Sequence, residues 1–177
     1  MKCRGCVVAI LLCAVVRLHA QQGDLPQLFA QGMAAFQAGD FAKAAETLET
    51  LENKAEFTPQ LEPVFFTVGS AYFNAGNYSK AIAAFKNYQA KFPQGPHAGD
   101  AAFGLAQANL LAKNYSEAAA QFSALEKDPK LREQALLSQA TALKENKKID
   151  EAIAALEKLV GTELKTPTGV RGAMMLA

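Results

Sequence analysis

Gly76-Asn77-Tyr78-Ser79-Lys80-Ala81 is the stretch that decides how this chain folds, because its pattern occurs four times. Gly39-Asp40-Phe41-Ala42-Lys43-Ala44 precedes it, and Lys113-Asn114-Tyr115-Ser116-Glu117-Ala118 follows it. Lys147-Lys148-Ile149-Asp150-Glu151-Ala152 is the fourth copy. The closing alanines stand at 44, 81, 118 and 152, separated by 37, 37 and 34 residues. Self-similarity at such a period is the mark of a stacked array of small supersecondary units.

Outward from the motif, other positions keep the register. A very small residue precedes each copy: Gly32, Gly69, Ala106 and Ala140. Four residues after each aligned alanine stands a large apolar one, at Leu48, Phe85, Phe122 and Leu156. Three further on are Leu51, Tyr88, Leu125 and Leu159. Apolar residues three and four apart form one face of a helix. Phe65, Val68, Gly69 and Tyr72 make that face before the Gly-Asn step, and Ala81, Phe85 and Tyr88 make it after. The step itself suits a residue with positive φ that closes one helix and turns into the next. The small residues at 69 and 81 let the two helices approach closely, and Pro93 ends the second. Each unit is therefore expected to be a helical hairpin.

Small residue, aromatic, Gly-Asp/Asn-aromatic, alanine, aromatic and proline at these spacings resemble the tetratricopeptide repeat, over residues 25 to about 165. The resemblance implies an all-α fold, a right-handed α-solenoid of antiparallel helix pairs, with repeats at about 25–61, 62–98, 99–132 and 133–169. Residues 170–177 are in register for the start of a fifth, truncated repeat, since Ala177 lies 37 after Ala140. The usual first-helix Trp is replaced by Leu28, Phe65, Ala102 and Leu136, and the turn Gly by Lys113 and Lys147. The 37-residue spacing and the Lys91–Ala98 connection are similar to bacterial envelope members of the family, of the Tol-Pal and outer-membrane assembly type.

Residues 1–20 read as a secretory signal peptide. Lys2 and Arg4 start it, Val7 to Val16 form an apolar run too short to span a bilayer, and Ala20 offers a small residue for cleavage. Cys3, Cys6 and Cys13 all lie inside it, and Leu12 before Cys13 argues against a lipid anchor. Export to the bacterial periplasm is the expected location. Without these residues the net charge changes from +1 to −2, because Lys2, Arg4 and Arg17 leave with them. That is no electrostatic footprint for nucleic acid, and no further segment is expected to cross a membrane.

Catalytic chemistry finds little to work with. His97 stands alone in a proline-flanked connection, where a solvent-exposed loop residue is expected and no cofactor or metal site. Ser70 has neither a nucleophile elbow nor a base. Glu46, Glu49 and Glu52 recur every third residue as a solvated helix face. An enzyme is not expected.

In a stacked array the first helices line the concave side. The residues beside the packing stripe are then Phe29, Met33 and Phe36, followed by Phe66, Thr67, Ser70, Phe73 and Asn74, and by Phe103, Gln107 and Leu110. This candidate partner-binding groove is apolar, with scattered amides and hydroxyls and almost no charge. Chaperone-binding members of the family clamp a terminal carboxylate with Lys and Asn. The matching places here are Phe29, Met33, Thr67 and Gly104, so the expected partners are protein or peptide segments of apolar character. The expected function is a non-catalytic scaffold; the alternative is the N-terminal recognition arm of an envelope enzyme whose catalytic domain lies downstream.

Overall fold

The computed structural model describes residues 24–163, Phe57 excepted, with the backbone alone for 161–163. The signal peptide reading and the fifth-repeat reading both fall outside these residues. Among the described residues there are eight α-helices and no strand. They are α1 (Leu25–Gln37), α2 (Phe41–Lys54), α3 (Glu62–Asn74), α4 (Tyr78–Lys91), α5 (Ala98–Leu111), α6 (Tyr115–Leu125), α7 (Arg132–Glu145) and α8 (Ile149–Glu163). A single 3-10 turn, Pro59–Leu61, leads into α3. Each helix packs on the one that follows it, and first helices of adjoining pairs also touch, α3 on α5 and α5 on α7. The odd-numbered helices thus form an inner layer and the even-numbered ones stand outside it, which is a solenoid.

The turn motif closes each pair in one way. Gly39 and Gly76 take positive φ, 79° and 76°, and so do Lys113 at 66° and Lys147 at 62°. At all four turns the next amide donates back five residues to a helix carbonyl: Asp40 to Ala35, Asn77 to Tyr72, Asn114 to Asn109 and Lys148 to Leu143. This is the Schellman arrangement, which satisfies carbonyls that the helix end would otherwise leave bare. Asp40 and Asn77 then cap the next helix, accepting from the amides of Lys43 at 3.3 Å and Lys80 at 3.2 Å. The register demands a left-handed residue whatever its side chain. We therefore expect Lys113→Gly and Lys147→Gly each to raise the free energy of unfolding by about 0.5–1 kcal/mol, because a Cβ is costly in that region. Urea denaturation checks this, and unchanged or lowered midpoints for both would refute it.

The core alternates small against large. A Cβ built on Gly32 would come within 2.5 Å of Leu48, and one built on Gly69 within 2.6 Å of the Phe85 ring. Glycine is required there by close packing rather than by backbone conformation. Phe65, Val68, Tyr72, Phe85 and Tyr88 belong to one buried cluster that runs from α1 into α5, and Phe122, Leu143 and Leu156 to a second over α5–α8. Position 45 and position 119, each just after an aligned alanine, are buried. Their counterpart Ile153 is 40% exposed, with no described helix following α8 to cover it.

Candidate functional site

On the inner layer, α3, α5 and the start of α7 enclose an open cleft of about 320 Å³. Phe66, Ser70, Phe73 and Asn74 line it from α3, one helical face at spacings of three and four. Phe103 and Gln107 line it from α5 in the same manner, and Phe85 closes the floor from behind. Six of the eleven groove residues read from the sequence thus meet in one cleft.

The other five lie elsewhere. Phe29 is 45% exposed on α1, away from the cleft. Met33 and Phe36 are half-buried against the first core cluster, Phe36 edge-on to Phe41 with ring centroids 5.4 Å apart. Thr67 turns its hydroxyl back to the Pro63 carbonyl at 2.7 Å. Leu110 packs on the second cluster. The first pair contributes nothing to the lining of this cleft, which is built across the second, third and fourth.

Leu131 and Gln134 at the start of α7, Gly104 on α5, and the carboxylate of Asp100 also line the cleft and were not anticipated. Asp100 lies in the first turn of α5, where a negative charge complements the helix dipole. Its side chain was legible as an N-terminal acid, but its aim into the groove was not.

His97 corrects the expectation of a plain solvent-exposed loop residue. Its ring stacks on Phe66, centroids 4.6 Å apart and 14° from parallel. Its Nδ1 lies 2.9 Å from one carboxylate oxygen of Glu62, and its backbone amide donates to the same oxygen at 3.1 Å. The Tyr88 hydroxyl also donates to that carboxylate. Glu62 is only 5% exposed, so three donors converge on a buried acid between α3, α4 and the connection to α5. Burial raises the Glu62 pKa, but the hydrogen bonds from Tyr88 and then His97 outweigh it and hold the group below its ordinary value. Burial, and then the bond to Glu62, push the Tyr88 phenol well up, so it stays a donor. This joint holds Phe66 at the mouth of the cleft. Phe66 is braced further by Phe85 and Tyr88, each with its ring centroid 6.2 Å away.

Of the α2 glutamates, Glu46 is exposed as its spacing implies, whereas Glu49 and Glu52 are half-buried. Glu49 accepts from the Tyr72 hydroxyl and Glu52 from the Asn87 amide, tying the first pair to the second. Glu52 is pushed up mainly by burial, against the lowering effect of Lys91. Among the described residues no group of His, Cys, Asp and Glu is placed to hold a metal, and no helix is long and apolar enough to cross a membrane.

Two family models, both described as tetratricopeptide repeat, match the chain: one at residues 67–132, the other at residues 28–55 and 134–162. Together they take in well over half of it and follow the helix pairs described above. No curated protein matches by sequence. Among solved structures, the chain is similar to MamA (residues 41 to the end) from Desulfovibrio magneticus RS-1, at 16% identity and a TM-score of 0.70, covering 86% of this chain and 81% of that one. It is also similar to a tetratricopeptide repeat protein from Parabacteroides merdae ATCC 43184, at 14% identity and a TM-score of 0.71, covering 87% of this chain and 59% of that one. Likeness at these identities carries the fold alone. The envelope subtype rests on sequence resemblance and gains no support from either comparison.

Proposed function

This chain belongs to the tetratricopeptide repeat family, and from that premise we propose that it is a non-catalytic scaffold, exported to the bacterial periplasm, that binds an apolar segment of a protein partner in the α3–α5–α7 cleft. A repeat fold does not by itself name a function; the observation that carries the reading is the cleft. Phe66, Phe73 and Phe103 present aromatic surface on the inner layer, where buried aromatic anchors commonly dominate partner binding. The exposed amide of Asn74 and the half-buried one of Gln107 stand beside them and can take up the polar groups of a peptide backbone. The periplasmic part of the proposal rests on the layout of residues 1–20 and is tested by fractionating cells that express the whole chain.

Capture from envelope extracts tests the binding surface. The mature chain should retain a specific partner, and Phe66→Ala with Phe73→Ala should weaken that partner's affinity by more than about tenfold, the loss typical of anchor residues. The variant's helix content and cooperative unfolding, followed by circular dichroism, separate lost binding from lost folding. Equal retention by a folded double variant removes the cleft as the binding site.

A further inference from the structure

We propose that the cleft selects a partner segment carrying an apolar or aromatic side chain beside a lysine or arginine, and that Asp100 recognises the cation. The inference rests on the cleft reading and names its occupant. Helices α1, α3 and α5 are nearly uncharged along their whole length. They contain two charged side chains, Glu62 and Asp100, both carboxylates; Arg132 and Glu133 at the start of α7 flank the cleft without lining it.

The two differ in availability. Glu62 is buried and its carboxylate is taken up by Tyr88 and His97. Asp100 is exposed, lines the cleft beside Phe66 and Phe103, and has no hydrogen-bond or ion-pair partner among the described residues. Lys80, Lys86, Lys148 and Lys158 pair with Glu49, Glu117, Glu151 and Glu126 respectively.

A cation at the cleft thus meets one unspent carboxylate set among phenylalanine rings, where the low local dielectric strengthens the attraction. A partner carboxylate meets repulsion from Asp100, with no described cation lining the cleft to receive it. At about 320 Å³ the cleft is at the small end of ligand sites, enough for one anchor side chain and not for a folded domain. The selected feature is therefore local: one apolar anchor, one adjacent positive charge, and backbone groups for the amides of Asn74, Gln107 and Gln134.

Three capped peptides test this on the mature chain, each with a Phe-Leu anchor in a Gly-Ser frame. Next to the anchor stands a lysine, a glutamine or a glutamate. Fluorescence anisotropy should place lysine about two- to fivefold tighter than glutamine, as for an exposed ion pair, with glutamate weakest. The order should fade in high salt. Asp100→Asn should equalise lysine and glutamine without weakening the glutamine peptide, and Asp100→Glu should keep the order. Phe103→Ala should weaken all three. An unchanged order in Asp100→Asn, or glutamate binding as tightly as lysine in the unaltered chain, overturns the proposal. If no peptide binds, the proposal also falls. The scaffold reading then stands or falls separately, on whether Phe66→Ala with Phe73→Ala releases the partner captured from extracts.

Discussion

Phe85→Ala lowers the stability of the folded chain by about 3–5 kcal/mol, the cost of emptying a large buried aromatic site. The ring is 2% exposed and is held between two helix backbones. A Cβ on Gly69, in the same pair, would lie 2.6 Å from it, and one on Gly104, in the next pair, would also lie 2.6 Å away. The ring occupies a slot whose two walls lack side chains. Neither glycine can offer a side-chain atom to refill the slot when the ring is removed, so most of the cavity persists and its cost is felt.

The slot also joins two repeats. Stability in a solenoid is approximately a sum of unit and nearest-neighbour contributions. Losing the ring therefore weakens the second unit and its interface with the third at once. For a chain of this length the melting temperature should fall by roughly 6–20 °C. Leu111→Ala, at a 48% exposed position, should stay within about 0.5 kcal/mol of the parent chain. Chemical denaturation decides the matter; a loss below about 1 kcal/mol at Phe85 would mean that the units repack and the slot is not rigid.

Glu62→Ala should cost about 2–4 kcal/mol, because it leaves the Tyr88 hydroxyl and the His97 amide without their buried acceptor. Tyr88→Phe removes a donor with its need for a partner, so it should cost less. The double change should cost less than the two single losses added together, since they share one bond.

The pH dependence has a definite sign. Glu62 is depressed from its ordinary value of 4.5 in the folded state. Its contribution is therefore complete above the unfolded value and is lost as pH falls through the folded one. The gap between the parent chain and Glu62→Ala should be constant near neutrality and should narrow in acid, below the ordinary carboxylate range. Denaturation midpoints measured across that range report it. A gap that widens in acid would contradict the assignment of Glu62 as an ionised acceptor. Because His97 and Phe66 hang on the same carboxylate, Glu62→Ala should also loosen the mouth of the cleft.

How much of this was legible differs from residue to residue. The pairing of Gly32 with Leu48 and of Gly69 with Phe85 followed from register, because a small residue on one helix and a large one on the next recur at constant spacing. Lys113 and Lys147 were read as departures from the turn glycine, yet they adopt its left-handed backbone. The hydrogen bonds that close the turn are made by main chain, and they recur whatever the side chain. His97 was misjudged because its partners come from elsewhere: Glu62 lies 35 residues away, and Tyr88, which reaches Glu62 across 26 residues, belongs to a different helix. No helical or turn periodicity connects positions at those separations.

The sequence by itself determined the helices, their pairing, and the period at which pairs stack. Those depend on local backbone preference and on apolar spacing within some forty residues, and both can be read in one dimension. Only the tertiary structure decided where the cleft lies. Its walls come from three successive pairs, and the angle at which each pair follows the last selects which face of α3 looks across to α5. Ring packing at Phe85 and the Glu62, Tyr88 and His97 joint hold the second pair against the third. For the same reason Phe29 stands apart from the cleft, and Asp100, an ordinary first-turn acid by its position, points into it.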